Sequence, residues 1–291
     1  MIIIPGPASQ ILGFKIGKLL KAKVVPLDYK RFPDGEAYIR IDGNIQDEHV
    51  AVVQSTFPTD PHLIELFLLL DTVKELAASK ITAIVPYLAY ARQDKRFRPG
   101  EAISIKTIIR LIENIGVDEL YTINIHEEAV LSEFKMPIVN LSAMTAIGTY
   151  LKKYDLKDPY IVSPDQGAEF LAKEVAETLR ADVSSCFKKR DLITGEIETE
   201  AVKLDVKGRD TVIVDDIIST GGTIVNAAKM LKTQGARRVF VGATHALLIQ
   251  NARTRIMQAQ AEEIIGTDTV LNEVSKISVA PLIANAFAKY L

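Results

Sequence analysis

The sequence predicts an α/β protein of two domains, each a mainly parallel sheet flanked by helices. Three observations carry this. Runs such as "MIIIP", "VAVVQ" and "TVIVDD" are apolar throughout rather than alternating, as strands buried on both faces are. Between such runs lie segments with apolar residues at three-to-four spacing, as helices have. The chain has 291 residues, 48% hydrophobic and 25% charged, an ordinary globular balance in a length sufficient for two cores.

The first element expected is a strand at 1–5; it lacks the basic flank of a signal peptide. Strands at 23–27 ("KVVPL") and 37–41 ("AYIRI") flank "RFPDGE", where Pro, Asp and Gly make a turn, so a hairpin is expected. A strand at 50–54 leads to a helix at 61–79. Its most apolar part, "LIELFLLLDTV", is interrupted by Glu65 and Asp71 and is too short to span a bilayer. Next come a strand at 82–87, a helix at 103–115, a strand at 119–125 and a helix at 142–153. The charged, proline-closed end of "SAMTAIGTYLKKYDLKDP" marks a domain boundary, with domains at 1–142 and 143–291. In the second half, strands at 159–163, 211–216 and 238–244 alternate with helices at 167–180 and 223–234; Gly235 is expected to stop the last helix.

A formal charge of −2 gives no general electrostatic case for nucleic acid or an anionic membrane, and neither partner is expected. Cys186 is the only cysteine, which excludes an intrachain disulfide and a cysteine-rich zinc site. A cytoplasmic protein is the expectation. Charge chemistry must therefore come from local clusters.

The clearest cluster is "VIVDDIISTGGT", 212–223. A buried strand is expected to end at Asp215 and Asp216, and a helix to follow the small residues. Such a unit points loop N–H groups and a helix N-terminus at one place, which suits an anion. Gly221 and Gly222 let the backbone approach closely, and Thr220 and Thr223 add hydroxyls. Carboxylates only accept hydrogen bonds, so the acid pair suits sugar hydroxyls or a metal. Together these features describe a ribose bearing a 5-phosphate.

There is no Walker A motif, because "GFKIGKL" has the wrong spacing and no Ser or Thr. Arg92, Lys95, Arg96 and Arg98 form a dense basic loop after the strand "TAIVPY", where α/β sheets bind ligands. His126 and Asp165 each lie just beyond a strand end, and Gly167 opens the helix after Asp165. In "SSCFKKRDLITGEIE", Lys188 and Arg190 stand two apart, on one face if the chain is extended, with Lys189 on the other.

The loop at 212–223 resembles the ribose-5-phosphate loop of the phosphoribosyltransferase-like superfamily. "RFPDGEAYIRI", "YARQDK" and the Lys-x-Arg pair narrow the resemblance to the ribose-phosphate diphosphokinases (PRPP synthases), in an archaeal-like form, over essentially the whole chain. It implies two phosphoribosyltransferase-like domains and transfer of the β,γ-diphosphoryl group of ATP to the 1-hydroxyl of ribose 5-phosphate. It further implies Phe32, Asp34, Gly35 and Glu36 at the adenine of a neighbouring subunit, hence a homodimer at minimum. Arg92, Gln93 and Asp94 fall on the ATP side. His126 and Asp165 become Mg²⁺ contacts, Lys188 and Arg190 catalytic cations, and Arg190 also a ribose-5-phosphate contact. Asp215, Asp216 and 219–223 become the ribose-5-phosphate site. Many relatives carry Asp where this chain has Ser219, so no general base is assigned. Competing readings are a phosphoribosyltransferase consuming PRPP and a non-catalytic regulatory relative.

Overall fold

The computed structural model describes residues 1–191 and 197–287, with backbone alone over 187–191 and 197–201. It divides into two compact units. In unit 1, β1 (Ile2–Pro5) leads to α1 (Gln10–Leu20), β2 (Lys23–Val24), and a hairpin of β3 (Leu27–Arg31) and β4 (Ala37–Ile41). Then follow β5 (His49–Val53), α2 (Thr59–Glu75), β6 (Lys80–Ile84), α3 (Ser104–Ile115), β7 (Glu119–Ile123) and β8 (Ile138–Leu141). The sheet has the order β2-β1-β5-β6-β7-β8, and every pair in it is parallel. β3 and β4 pair only with each other, antiparallel. The apolar spacing of α3 explains its placement, since Ile105, Ile108, Ile109 and Ile112 form its buried stripe.

Helix α1 was not anticipated, because small residues interrupt its apolar period. Leu12, Ile16 and Leu20 are buried together with Gly13 and Gly17. A Cβ on Gly13 would stand 2.7 Å from Pro5, and one on Gly17 would stand 2.3 Å from Val24. The glycines of "GFKIGKL" thus serve close helix–strand packing. The expected strand at 23–27 is two pieces, with β2 ending at Val24 and the hairpin beginning at Leu27.

Unit 2 runs α4 (Met144–Leu151), β9 (Tyr160–Ser163), α5 (Glu169–Leu179), β10 (Asp182–Ser185), β11 (Phe187–Asp191), β12 (Ile197–Ala201) and β13 (Asp210–Ile218). It continues with α6 (Gly222–Thr233), β14 (Arg238–Ala246), α7 (Ala252–Gln258), β15 (Glu263–Thr267) and β16 (Ser275–Ile277). Its sheet order is β10-β9-β13-β14-β15-β16, again parallel, while β11 and β12 form an antiparallel pair. Ile161, Val212, Val214 and Phe240 pack under α4 and α5 on one face of the sheet; Val162, Ile213 and Val241 pack under α6 on the other.

The chain then returns to unit 1, to which Thr269–Leu271 and Ser278–Leu291 belong. There α8 (Ala280–Phe287) buries Ala280, Ile283, Ala284 and Phe287. The Phe287 ring lies 4.5 Å from that of Tyr121 on β7, and Lys15 of α1 donates to the Ser278 hydroxyl at 3.3 Å.

Candidate active site

In a parallel sheet all strands end on the same edge, and ligands bind where the strand order reverses direction. In unit 2 the chain goes from β9 to β10 on one side and then to β13 on the other, so the reversal lies between β9 and β13. The loops leaving those two strands carry Asp165 and residues 219–223.

β13 does not stop at the acid pair, as the sequence expectation had it, but continues through Ile217 and Ile218, which pair with His245 and Ala246 on β14. Two apolar residues in register with a buried neighbour extend the ladder past the carboxylates. Asp215 is half-buried and Asp216 buried. Each accepts from the next amide, Asp216 N–H to Asp215 at 2.9 Å and Ile217 N–H to Asp216 at 2.8 Å. Burial, the charge of Asp216 and the charge of Asp165 push the Asp215 carboxyl well above its usual range. Crowded carboxylates of this kind favour a partner that brings donors, such as a sugar diol.

Beyond β13, the Ser219 carbonyl accepts from the Ile249 amide at 3.1 Å, and the Thr220 carbonyl accepts from the Arg255 guanidinium. Peptide planes are rigid and trans, so carbonyls held on the α7 side turn the N–H groups of Thr220 and Gly221 the other way. Gly221 caps α6 with φ 73°, a left-handed conformation suited to glycine, and a Cβ there would meet Ile256 at 3.0 Å. A Cβ on Gly222 would meet nothing within 4 Å. No side chain caps α6, so its first-turn N–H groups face that open space. Thr223 is exposed in that first turn.

Asp165 follows β9. Its Oδ1 accepts from the amides of Gly167 at 2.8 Å and Ala168 at 3.2 Å, and the turn so closed delays α5 until Glu169 rather than Gly167. Lys188 and Arg190 are on β11, in register with Glu200 and Glu198 of β12. Their side chains lie outside the described residues.

In unit 1, Phe32, Asp34, Gly35 and Glu36 share the hairpin turn. Phe32 N–H donates to the Glu36 carbonyl at 2.9 Å, Gly35 N–H to the Phe32 carbonyl at 2.9 Å, and Glu36 N–H to Asp34 Oδ1 at 3.2 Å. Phe32 is 44% exposed; its ring meets Tyr38 edge-on at 6.2 Å and has the Lys30 ammonium 5.6 Å from its centroid. Arg92, Gln93 and Asp94 follow β6. Arg96 is used to close the basic loop on the Glu101 carbonyl at 2.8 Å, and Glu101 accepts from the amides of Phe97 and Arg98 at 2.8 and 3.0 Å. Arg92 is exposed and has no ion-pair partner among the described residues. His126 is exposed in the turn after β7.

Two contributors escaped the sequence reading. Arg255, which holds the β13–α6 loop through the Thr220 carbonyl, lies on α7, a seven-residue helix with only Ala252 and Ile256 buried. Glu65, read only as a break in an apolar stretch, is wholly buried. A buried acid flanked by apolar residues on both sides was the available signal.

Residues 1–116 match the family model for the N-terminal domain of ribose phosphate pyrophosphokinase, and residues 161–284 match that for the phosphoribosyl synthetase-associated domain. The chain is 44% identical over 272 residues to the ribose-phosphate pyrophosphokinase of Saccharolobus solfataricus, covering 93% of each chain. It is also 44% identical to that of Methanobrevibacter smithii, over 98% of this chain and 99% of the relative. Among solved structures, the phosphoribosylpyrophosphate synthetase from Mycobacterium smegmatis superposes with a TM-score of 0.87 at 30% identity, covering 99% of this chain and 98% of its own.

Proposed function

The chain belongs to the ribose-phosphate pyrophosphokinase family, and from that premise we infer that it moves the β,γ-diphosphoryl group of ATP onto the 1-hydroxyl of ribose 5-phosphate, giving PRPP and AMP. The observation that carries the reading is the β13–α6 loop, where outward amides stand beside an acid pair at the reversal of the sheet. A phosphoribosyltransferase shares that loop but has no use for a unit matching a pyrophosphokinase N-terminal domain.

The N–H groups around 219–223 and the hydroxyls of Ser219, Thr220 and Thr223 hold the 5-phosphate, while Asp215 and Asp216 accept from the ribose hydroxyls. Phe32 stacks on adenine, Gly35 permits the turn at φ 97°, and Asp34 and Glu36 accept from the amino edge. The base belongs to a neighbouring subunit, which makes a homodimer the least assembly. Arg92 and Gln93, beside Asp94, take the polyphosphate, for which an unpaired guanidinium is suited. Lys188 and Arg190 bind charge as it develops at the β-phosphorus, and Arg190 also reaches the sugar phosphate. Ser219 stays neutral and removes no proton.

Among the described residues no cluster of three or more His, Cys, Asp or Glu side chains is placed to hold a metal. That fits Mg²⁺, which takes one or two carboxylates and keeps waters and phosphate oxygens for the rest. Asp165 is the first choice because Mg²⁺ prefers oxygen donors, its Oδ1 being held by amides and Oδ2 remaining for the ion, and His126 is the second. Held by Asp165 and His126, such an ion would offset phosphate charge and so lessen its repulsion of the incoming hydroxyl. No described helix is long and apolar enough to cross a membrane, and we place the enzyme in the cytoplasm.

The test is incubation with ATP, Mg²⁺ and ribose 5-phosphate. AMP and PRPP should form in equal amounts; PRPP-dependent base exchange without AMP would defeat the reading. Lys188→Ala should lower turnover by about 100-fold and Lys189→Ala far less.

A further inference from the structure

Helix α2 buries Leu63, Leu66, Leu69, Leu70 and Val73, and among them one carboxylate, Glu65, with 0% exposure. A carboxylate removed from water persists only where donors replace the water. Four do so here. Oε1 accepts from the Tyr29 hydroxyl at 2.8 Å and from the Arg31 guanidinium. Oε2 lies 2.5 Å from His62 Nδ1 and 3.3 Å from Gln54 Nε2. Gln54 in turn accepts from the Ala8 amide at 3.0 Å, and its side chain leaves no room for a Cβ on Gly6. The cluster therefore joins the end of β1, the end of β5, α2 and the hairpin.

Packing alone does not call for an ion. An apolar residue of similar volume commonly serves as well in such a place or better. What the charge adds is a fixed direction for Arg31. One of its nitrogens binds Glu65, and another, Nη1, donates to the Gly35 carbonyl at 2.9 Å. The hairpin belongs to no larger sheet; Leu27, Ile39 and Ile41 seat its strands on the core beside α2, while its tip carries no such apolar contact among the described residues. Arg31 is the side chain that ties the turn itself, through the Gly35 carbonyl, to the core carboxylate.

We propose that Glu65 is a positioning residue for the nucleotide: through Arg31 it sets the Phe32–Glu36 turn so that the aromatic ring and both acids meet the base in a single arrangement. This rests on the reading that the turn takes adenine. Steady-state kinetics of the full-length enzyme test it. Glu65→Gln keeps the shape but faces the four donors with an amide; Arg31→Met removes the bridge while Tyr29, His62 and Gln54 still serve the carboxylate, and urea unfolding of each variant separates loss of fold from loss of placement. Each should raise KM for ATP by about tenfold, with KM for ribose 5-phosphate and kcat at saturating ATP within about threefold of the unmodified enzyme. The double variant should be no worse than the weaker single one, because both break one linkage. Parallel rises in both KM values, or an unchanged KM for ATP in Arg31→Met, would overturn the proposal. Phe32→Ala separates the two levels. If it raises KM for ATP while Arg31→Met and Glu65→Gln do not, the turn binds the base and Glu65 does not place it. If it too leaves KM for ATP unchanged, both ideas fall.

Discussion

Asp210 and Asp215 stand on one strand and do opposite things. Asp210 has no exposure; it accepts from Arg237 at 2.8 Å, Arg238 at 2.7 Å and the Lys157 amide at 2.7 Å. Burial alone would raise its pKa, but the hydrogen bonds from Arg238, Arg237 and Lys157 outweigh burial and hold the carboxyl well below the usual range. A depressed carboxylate stabilises the fold above its unfolded pKa, about 3.9, and that stabilisation is lost as acid protonates it. Asp210→Asn should therefore cost about 3 kcal/mol at pH 7 in urea unfolding, and the gap should close as pH falls below the carboxylate range. An equal gap at pH 7 and in strong acid would refute the assignment. Asp215 is raised instead, by burial and by Asp216 and Asp165, so its ionised form weighs against the fold as pH rises. Strained acids of this kind are found where a site needs them, which is the role proposed for Asp215.

At the scale of the element, the β13–α6 loop uses its glycines for different ends. Gly221→Ala places a methyl at φ 73° and 3.0 Å from Ile256, and should lower stability by about 1–2 kcal/mol. Gly222→Ala meets no neighbour within 4 Å, so the melting temperature should hold while KM for ribose 5-phosphate rises by about tenfold. Equal behaviour of the two would mean that the phosphate does not enter there. The Val and Ile runs made these central strands legible from sequence, and the small residues between β13 and α6 made the loop legible too. Helix α1 was hidden by Gly13 and Gly17, and α7 and α8 by being barely two turns long. Arg255 and Arg31 meet their partners 35 and 34 residues away. No local period encodes such contacts, because they exist only once the elements have packed.

At the scale of the molecule, unit 1 is assembled from the start and the end of the chain. The sequence expectation of one cut at 142 made no provision for that return, which follows from the apolar face of α8 and from the Phe287–Tyr121 contact. Residues 1–141 expressed alone should be less stable in urea than the same segment linked to 269–291, by several kcal/mol, given about 1.5–3 kcal/mol for each large apolar side chain left uncovered. Equal midpoints would show that α8 is an ornament to the unit. Biosynthesis feels the same arrangement. Residues 1–141 leave the ribosome well before α8 (Ala280–Phe287) does; at about 5–20 residues per second, the wait is on the order of ten seconds. Through that interval the Tyr121 ring lacks its Phe287 partner and Lys15 lacks the Ser278 hydroxyl, so the nascent unit waits with that face uncovered.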